Sequence, residues 1–182
     1  MDHNPYSSGE QQPYGDAALK GPKFEASVRT MQIIAAALMI GVLSFLLVVL
    51  LMTKGDVLGL NNPSLITLIA AGFGFLMIVI HFVVPGVISN QQIGNSVAGG
   101  QKGVDEESKK QQVLAIFQIQ LIVGLALLEG AAFFNLIALM IGKSGFSLGV
   151  VVLLVCLMLM KFPTRDKVSF WVQDKLREMQ LL

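Results

Sequence analysis

The sequence predicts an all-α, polytopic membrane bundle of four transmembrane helices, arranged as two hairpins and followed by a C-terminal amphipathic surface helix. Three observations predict it. Of 182 residues, 54% are hydrophobic and only 14% charged, with a mean hydropathy of +0.69, a balance too apolar for a soluble domain. Apolar runs at 31–52, 65–84, 113–141 and 145–162 match the roughly 20 helical residues that cross a hydrocarbon core of about 30 Å. The cations, finally, fall in groups on one side of those runs. Residues 1–25 form a tail, 26–162 the transmembrane domain and 163–182 an amphipathic cytoplasmic helix.

The tail is rich in Gly, Pro, Ser, Gln and Tyr and has no apolar period, so it is expected to be disordered. Asn4-Pro5-Tyr6 and Pro13-Tyr14 read as parts of a solvated tail. The first run lies too far from the N-terminus for a secretory signal and lacks a small-residue cleavage site after it. Lys54-Gly55-Asp56 and Asn61-Asn62-Pro63 then mark a short outer hairpin, with Ser64 available as an N-cap for the second helix. That helix is expected to end near Pro85-Gly86. Ser89 to Gln112 follow as a polar loop whose mixed charges, Asp105-Glu106-Glu107 and Lys109-Lys110, suit a solvated connection that extends the third helix.

Gly142-Lys143-Ser144-Gly145 makes a tight turn into the fourth helix. Its Gly-Lys-Ser is no phosphate loop, because Ile137 stands where that motif requires glycine and no strand precedes it. Beyond Pro163, Thr164 can cap a last helix with Asp166 in its first turn. Val168, Trp171, Val172, Leu176 and Met179 recur there at helical spacing. A protein partner or the inner leaflet could cover this stripe; the nearby cations favour the leaflet, with Trp171 at headgroup depth.

Lys20, Lys23 and Arg29 precede the first run, Lys102, Lys109 and Lys110 separate the second and third, and Lys161 at the end of the fourth is followed by Arg165, Lys167, Lys175 and Arg177. Only Lys54 and Lys143 fall in the other two connections. Positive-inside placement therefore puts both termini and the central loop in the cytoplasm. A weak internal repeat accompanies this layout. A shift of 88 positions lays Gln32 on Gln120, Phe45 on Phe133 and Met52 on Met140, and puts Gly41 opposite Glu129.

Little in the chain suggests an enzyme. Cys156 is the single cysteine, which excludes an intramolecular disulfide and a cysteine metal cluster within one chain. His81 has no adjacent acid or nucleophile and reads as an interface residue. Ser44 and Cys156 lack a recognisable base. With no metal spacing, nucleotide fingerprint or haem motif, no cofactor and no catalytic residue is expected. The cations track the membrane boundary, so nucleic acid is not an expected partner either.

Glu129 is the exception that invites a function. It is a lone carboxylate in a span, and intramembrane acids are costly. Gly130, Ala131 and Ala132 beside it allow another backbone to approach. No Arg or Lys lies within the spans to neutralise it, so a proton, a small cation or a polar side chain such as Gln118, Gln32 or Ser44 must satisfy it.

The stretch Gly124-Leu-Ala-Leu-Leu-Glu129-Gly-Ala-Ala-Phe-Phe-Asn-Leu-Ile-Ala138 resembles the carboxylate helix of the proteolipid, or c, subunits of rotary ATP synthases. The resemblance implies that Glu129 binds H⁺ or Na⁺ midway through the membrane, on a helix entering from a cytoplasmic polar loop. Its partner helix carries Gly72 and Gly74 instead of a long glycine series, and the loop has no Arg-Gln-Pro. The whole chain also resembles an uncharacterised bacterial four-helix membrane protein family, which implies a multi-pass protein of the bacterial inner (plasma) membrane. Two functions follow as expectations. One is a proton- or cation-binding subunit of a homo-oligomer or membrane complex; the alternative is a non-transporting structural or interaction protein in which Glu129 is a helix–helix contact.

Overall fold

A computed structural model describes residues 21–54, 64–98 and 106–180. They form five helices: α1 (Pro22–Met52), α2 (Leu65–Ala98), α3 (Glu106–Gly142), α4 (Gly145–Met160) and α5 (Arg165–Gln180). No strand occurs among the described residues. Three of these helices, α1, α2 and α3, are long and apolar enough to cross a membrane; α4 and α5 qualify only as a pair, bent by 67°. At 16 residues, α4 spans about 24 Å, just short of the hydrocarbon thickness.

The helix ends follow local chemistry. Pro22 takes the first helical position after an extended Gly21, where its missing N–H costs nothing. The helix therefore absorbs residues 22–25 of the expected tail; residues 1–20 lie outside the described residues, as do 55–63 and 99–105. Ser64 Oγ accepts the Thr67 N–H at 3.4 Å, the expected N-cap. Contrary to expectation, α2 does not stop at Pro85 but runs to Ala98. Twenty preceding residues have already met the cost of nucleation, so further turns are added by propagation. At the opposite ends of α1 and α3, Lys54 (φ 52°) and Lys143 (φ 44°) adopt left-handed conformations and close the helices in the manner usually left to glycine.

Helix α3 is the centre, with α1, α2, α4 and α5 all packed on it. Its Leu125, Leu128, Ala131, Ala132, Leu136 and Leu139 form one buried core with Ala35, Met39, Val42 and Val49 of α1 and Val151, Leu154 and Met158 of α4. In hydrocarbon such a core is held by close packing and interhelical hydrogen bonds, which is why small residues sit at the closest contacts. The outside is apolar as well: Ile33, Ile40, Leu51, Leu65, Phe75, Phe82 and Met160 are all exposed, as suits a multi-pass membrane protein.

The first two helices do not pack as a hairpin in the way α3 and α4 do. Helix α2 instead lies along α3. Asn135 Nδ2 donates to the Ala70 carbonyl at 3.0 Å, the His81 Nδ1–H donates to the Gly124 carbonyl at 2.9 Å, and Phe73 meets Phe134 edge-on. Its small and polar face is matched by α3, not by α1. The ends of the bundle differ accordingly: a hairpin end carries Lys54, Ser64 and the 142–145 turn, and a basic end gathers Lys23, Arg29, Lys109, Lys110, Lys161 and Arg165.

A second, smaller core closes the basic end. Val168 and Val172 of α5 are buried against Phe24 and Val28 of α1 and Val113 of α3, and Trp171 packs on Phe117 with ring centroids 5.0 Å apart. Val168, Trp171, Val172 and Leu176 of the stripe expected on the membrane surface therefore cover the protein itself, while the Met179 side chain lies outside what is described. Helix length explains the difference. At 31 and 37 residues, α1 and α3 reach about 46 and 55 Å, well beyond a core of about 30 Å. Their overhang offers α5 an apolar seat, and an Arg165–Glu25 ion pair at 2.6 Å borders it.

Candidate functional site

Glu129 lies 13 residues from the last residue of α3, or about 20 Å, and so close to the middle of a bilayer-sized span. Helix α1 runs parallel to α3 and at the same height. A Cβ added to Gly41 would stand 3.4 Å from Glu129 Oε1 and 4.0 Å from Phe133 Cζ. One turn further on, Phe45 and Phe133 pack with ring centroids 5.4 Å apart. The carboxylate thus faces Gly41, where a Cβ would fit at ordinary contact distance and a larger side chain would not.

Buried Leu125, Leu128 and Ala132 anchor α3 on either side of Glu129, while Ala126 and Gly130 are exposed. The carboxyl group itself is half-buried. Among the described residues, none donates a hydrogen bond to it and no cation forms an ion pair with it. Chemically, this is an acid able to exchange a proton, or to join other oxygen donors around a small cation, without first breaking a bond to its own chain.

The three expected supporting side chains are not brought to it. Gln32 Nε2 donates to the Pro163 carbonyl at 3.0 Å, tying α1 to the α4–α5 junction at the basic end. Gln118 shares the helix but lies eleven residues, about 16 Å, below the acid. Ser44 is exposed and one turn above Gly41. Gly41 is the neighbour that matters, and its signal was the 88-residue offset that pairs it with Glu129.

His81 and Asn135 are fully inside the α2–α3 interface. Asn135 also donates to the Ala131 carbonyl at 2.9 Å, and a Cβ on Gly124 would stand 3.1 Å from the His81 ring. Both residues hold helices together on a face of α3 other than the one carrying Glu129. Cys156 is exposed on α4, and the described residues contain no cluster of three His, Cys, Asp or Glu side chains. In comparisons with known proteins, no family model, no curated protein and no solved structure matches the chain.

Proposed function

We propose that this chain is an inner-membrane protein in which Glu129 is an exchangeable site for a proton or small cation, working within a homo-oligomer or membrane complex. The observation that carries the reading is the carboxylate facing Gly41 with no donor or cation from the described residues beside it. An acid held so near mid-membrane is functional by default. The resemblance of residues 124–138 to a proteolipid carboxylate helix points the same way. Exposed small residues around the acid, Ala126 and Gly130 on α3 and Ala37 and Ser44 on α1, suit the close approach of a neighbouring subunit. With the positive-inside rule, the basic end and both termini are cytoplasmic.

Carbodiimide labelling in intact membranes tests this. The reagent attacks a protonated carboxyl group, so Glu129 is expected to be modified, Glu129→Gln to be unlabelled, and a competing cation to slow the reaction. Membranes in which wild-type Glu129 stays unmodified would sink the proposal.

The approach of Glu129 to Gly41 also favours a second reading, a structural role at the α1–α3 joint. In that case Glu129→Gln, which keeps shape and hydrogen-bonding capacity, leaves assembly and phenotype unchanged. Loss of function with normal expression decides against it.

A further inference from the structure

A different face of α3 carries a second group of polar side chains. Asn135 spends both amide hydrogens on the carbonyls of Ala70 and Ala131, and its Oδ1 is buried with no partner. Ser144 is the extended N-cap residue of α4, and three residues on Ser147 begins the buried stripe that continues through Val151, Leu154 and Met158. Their hydroxyls are likewise buried and unpartnered, and the three residues are no more than 1% exposed.

Asn135 lies where three helices meet. A Cβ on Gly74 of α2 would meet Asn135 Nδ2 at 3.0 Å and Val150 Cγ1 at 3.3 Å, so α2, α3 and α4 converge there. Ser147 stands one turn above Val150, towards the hairpin end, and Ser144 a further turn above. On α2 the order is the same: Ala70, whose carbonyl takes the Asn135 amide, lies one turn above Gly74. Thr67 and Ser64 follow, their hydroxyls 3.0 Å apart and facing Gly142.

We propose that this α2–α3–α4 seam holds ordered water at successive heights, with Asn135 Oδ1 and Ser147 Oγ as ligands near the Gly74 junction and Ser144 Oγ as a ligand a turn further towards the hairpin end. Buried polar atoms are costly when unpaired and are normally satisfied by protein or by internal water. Three orphans, contributed by two helices and shielded from lipid and from any neighbouring subunit, leave water as the partner of matching size and chemistry. A neutral set of amide and hydroxyl oxygens can both give to and take from water. The seam is separate from the Glu129 face, so its fate does not depend on what Glu129 does.

The test uses the full chain, isotope-labelled and reconstituted in lipid vesicles, with polarisation transferred from water in solid-state NMR. Signal is expected to reach the Asn135 side-chain amide and Ser147 several-fold faster than Leu128 and Leu136. Equally slow transfer to all four overturns the proposal. Thermal unfolding supplies a second readout: Ser147→Ala lowers Tm if its hydroxyl is water-bonded, whereas an unchanged or raised Tm contradicts it. Repeating the melts in sodium, potassium and choline salts checks the identity of the ligand. A sodium- or potassium-specific rise in Tm that Ser147→Ala abolishes assigns the site to a metal cation and overturns the assignment to water.

Discussion

Phe45 of α1 and Phe133 of α3 pack with their rings tilted and centroids 5.4 Å apart, and they are separated in sequence by the same 88 positions that align the two helices. Gly41 and Glu129 repeat the pairing one turn below. The offset is therefore a spatial register between parallel neighbours. It does not extend to matching hairpins, since α3–α4 packs and α1–α2 does not.

That ladder makes Gly41 sensitive to size. Ala is expected to fit, because its Cβ would sit at ordinary contact distance, 3.4 Å, from Glu129. Leu adds three more carbons there and forces α1 and α3 apart, at a cost of about 1–3 kcal/mol. Thermal unfolding of both variants in one detergent checks the difference, and equal stabilities would disprove the tight joint.

Gly142 makes a sharper demand. An added Cβ would lie 2.9 Å from Ser64 Oγ and 3.0 Å from Thr67 Oγ1, so Gly142→Ala should destabilise by on the order of 1 kcal/mol. Ser64→Ala removes one of the two oxygens. A double-mutant cycle is expected to show that the Gly142→Ala penalty shrinks in that background.

Lys54 offers a gain instead. Its φ of 52° suits glycine, so Lys54→Gly is expected to stabilise by about 1 kcal/mol. A raised unfolding midpoint supports the left-handed turn, and a lowered one argues against it.

For α5 the contrast is between two neighbouring residues. Val172 is 1% exposed and Phe170 74%. Val172→Asp buries an unpaired charge against Phe24 and Val113, costing on the order of 3 kcal/mol, and should release α5 to proteases. Phe170→Ser should leave it protected. Cleavage of residues 165–180 in purified protein, followed by mass spectrometry, separates the two outcomes.

Three of the four expected spans were legible because run length and hydropathy answer directly to bilayer thickness; α4, at 16 residues, qualifies only as a bent pair with α5. Caps at Ser64 and Thr164 were legible because their chemistry is local: Thr164 Oγ1 accepts the Lys167 N–H at 3.5 Å as its position suggested. The end of α2 was misjudged because proline weighs heavily in a short window but little in a helix already formed. The partner of the α5 stripe was invisible for another reason. Periodicity says that a face must be covered but not by what, and the overhang of α1 and α3 is a property of three helices together. Gln32 is the same lesson at one residue, since its acceptor is 131 positions away. At Glu129, the cost of the acid could be read from its own helix, and only the register revealed Gly41 as its neighbour.

The seat of α5 also sets an order of events during synthesis. Phe24 and Val28 of α1 leave the ribosome early, yet Val168 and Val172, which cover them, emerge about 140 residues later, some seven seconds or more at ordinary translation speeds. Throughout that interval the base of α1 is an open apolar surface. The nascent chain thus depends on lipid, chaperone or a neighbouring copy to shelter it, and the last helix made is the one that shuts the first in place.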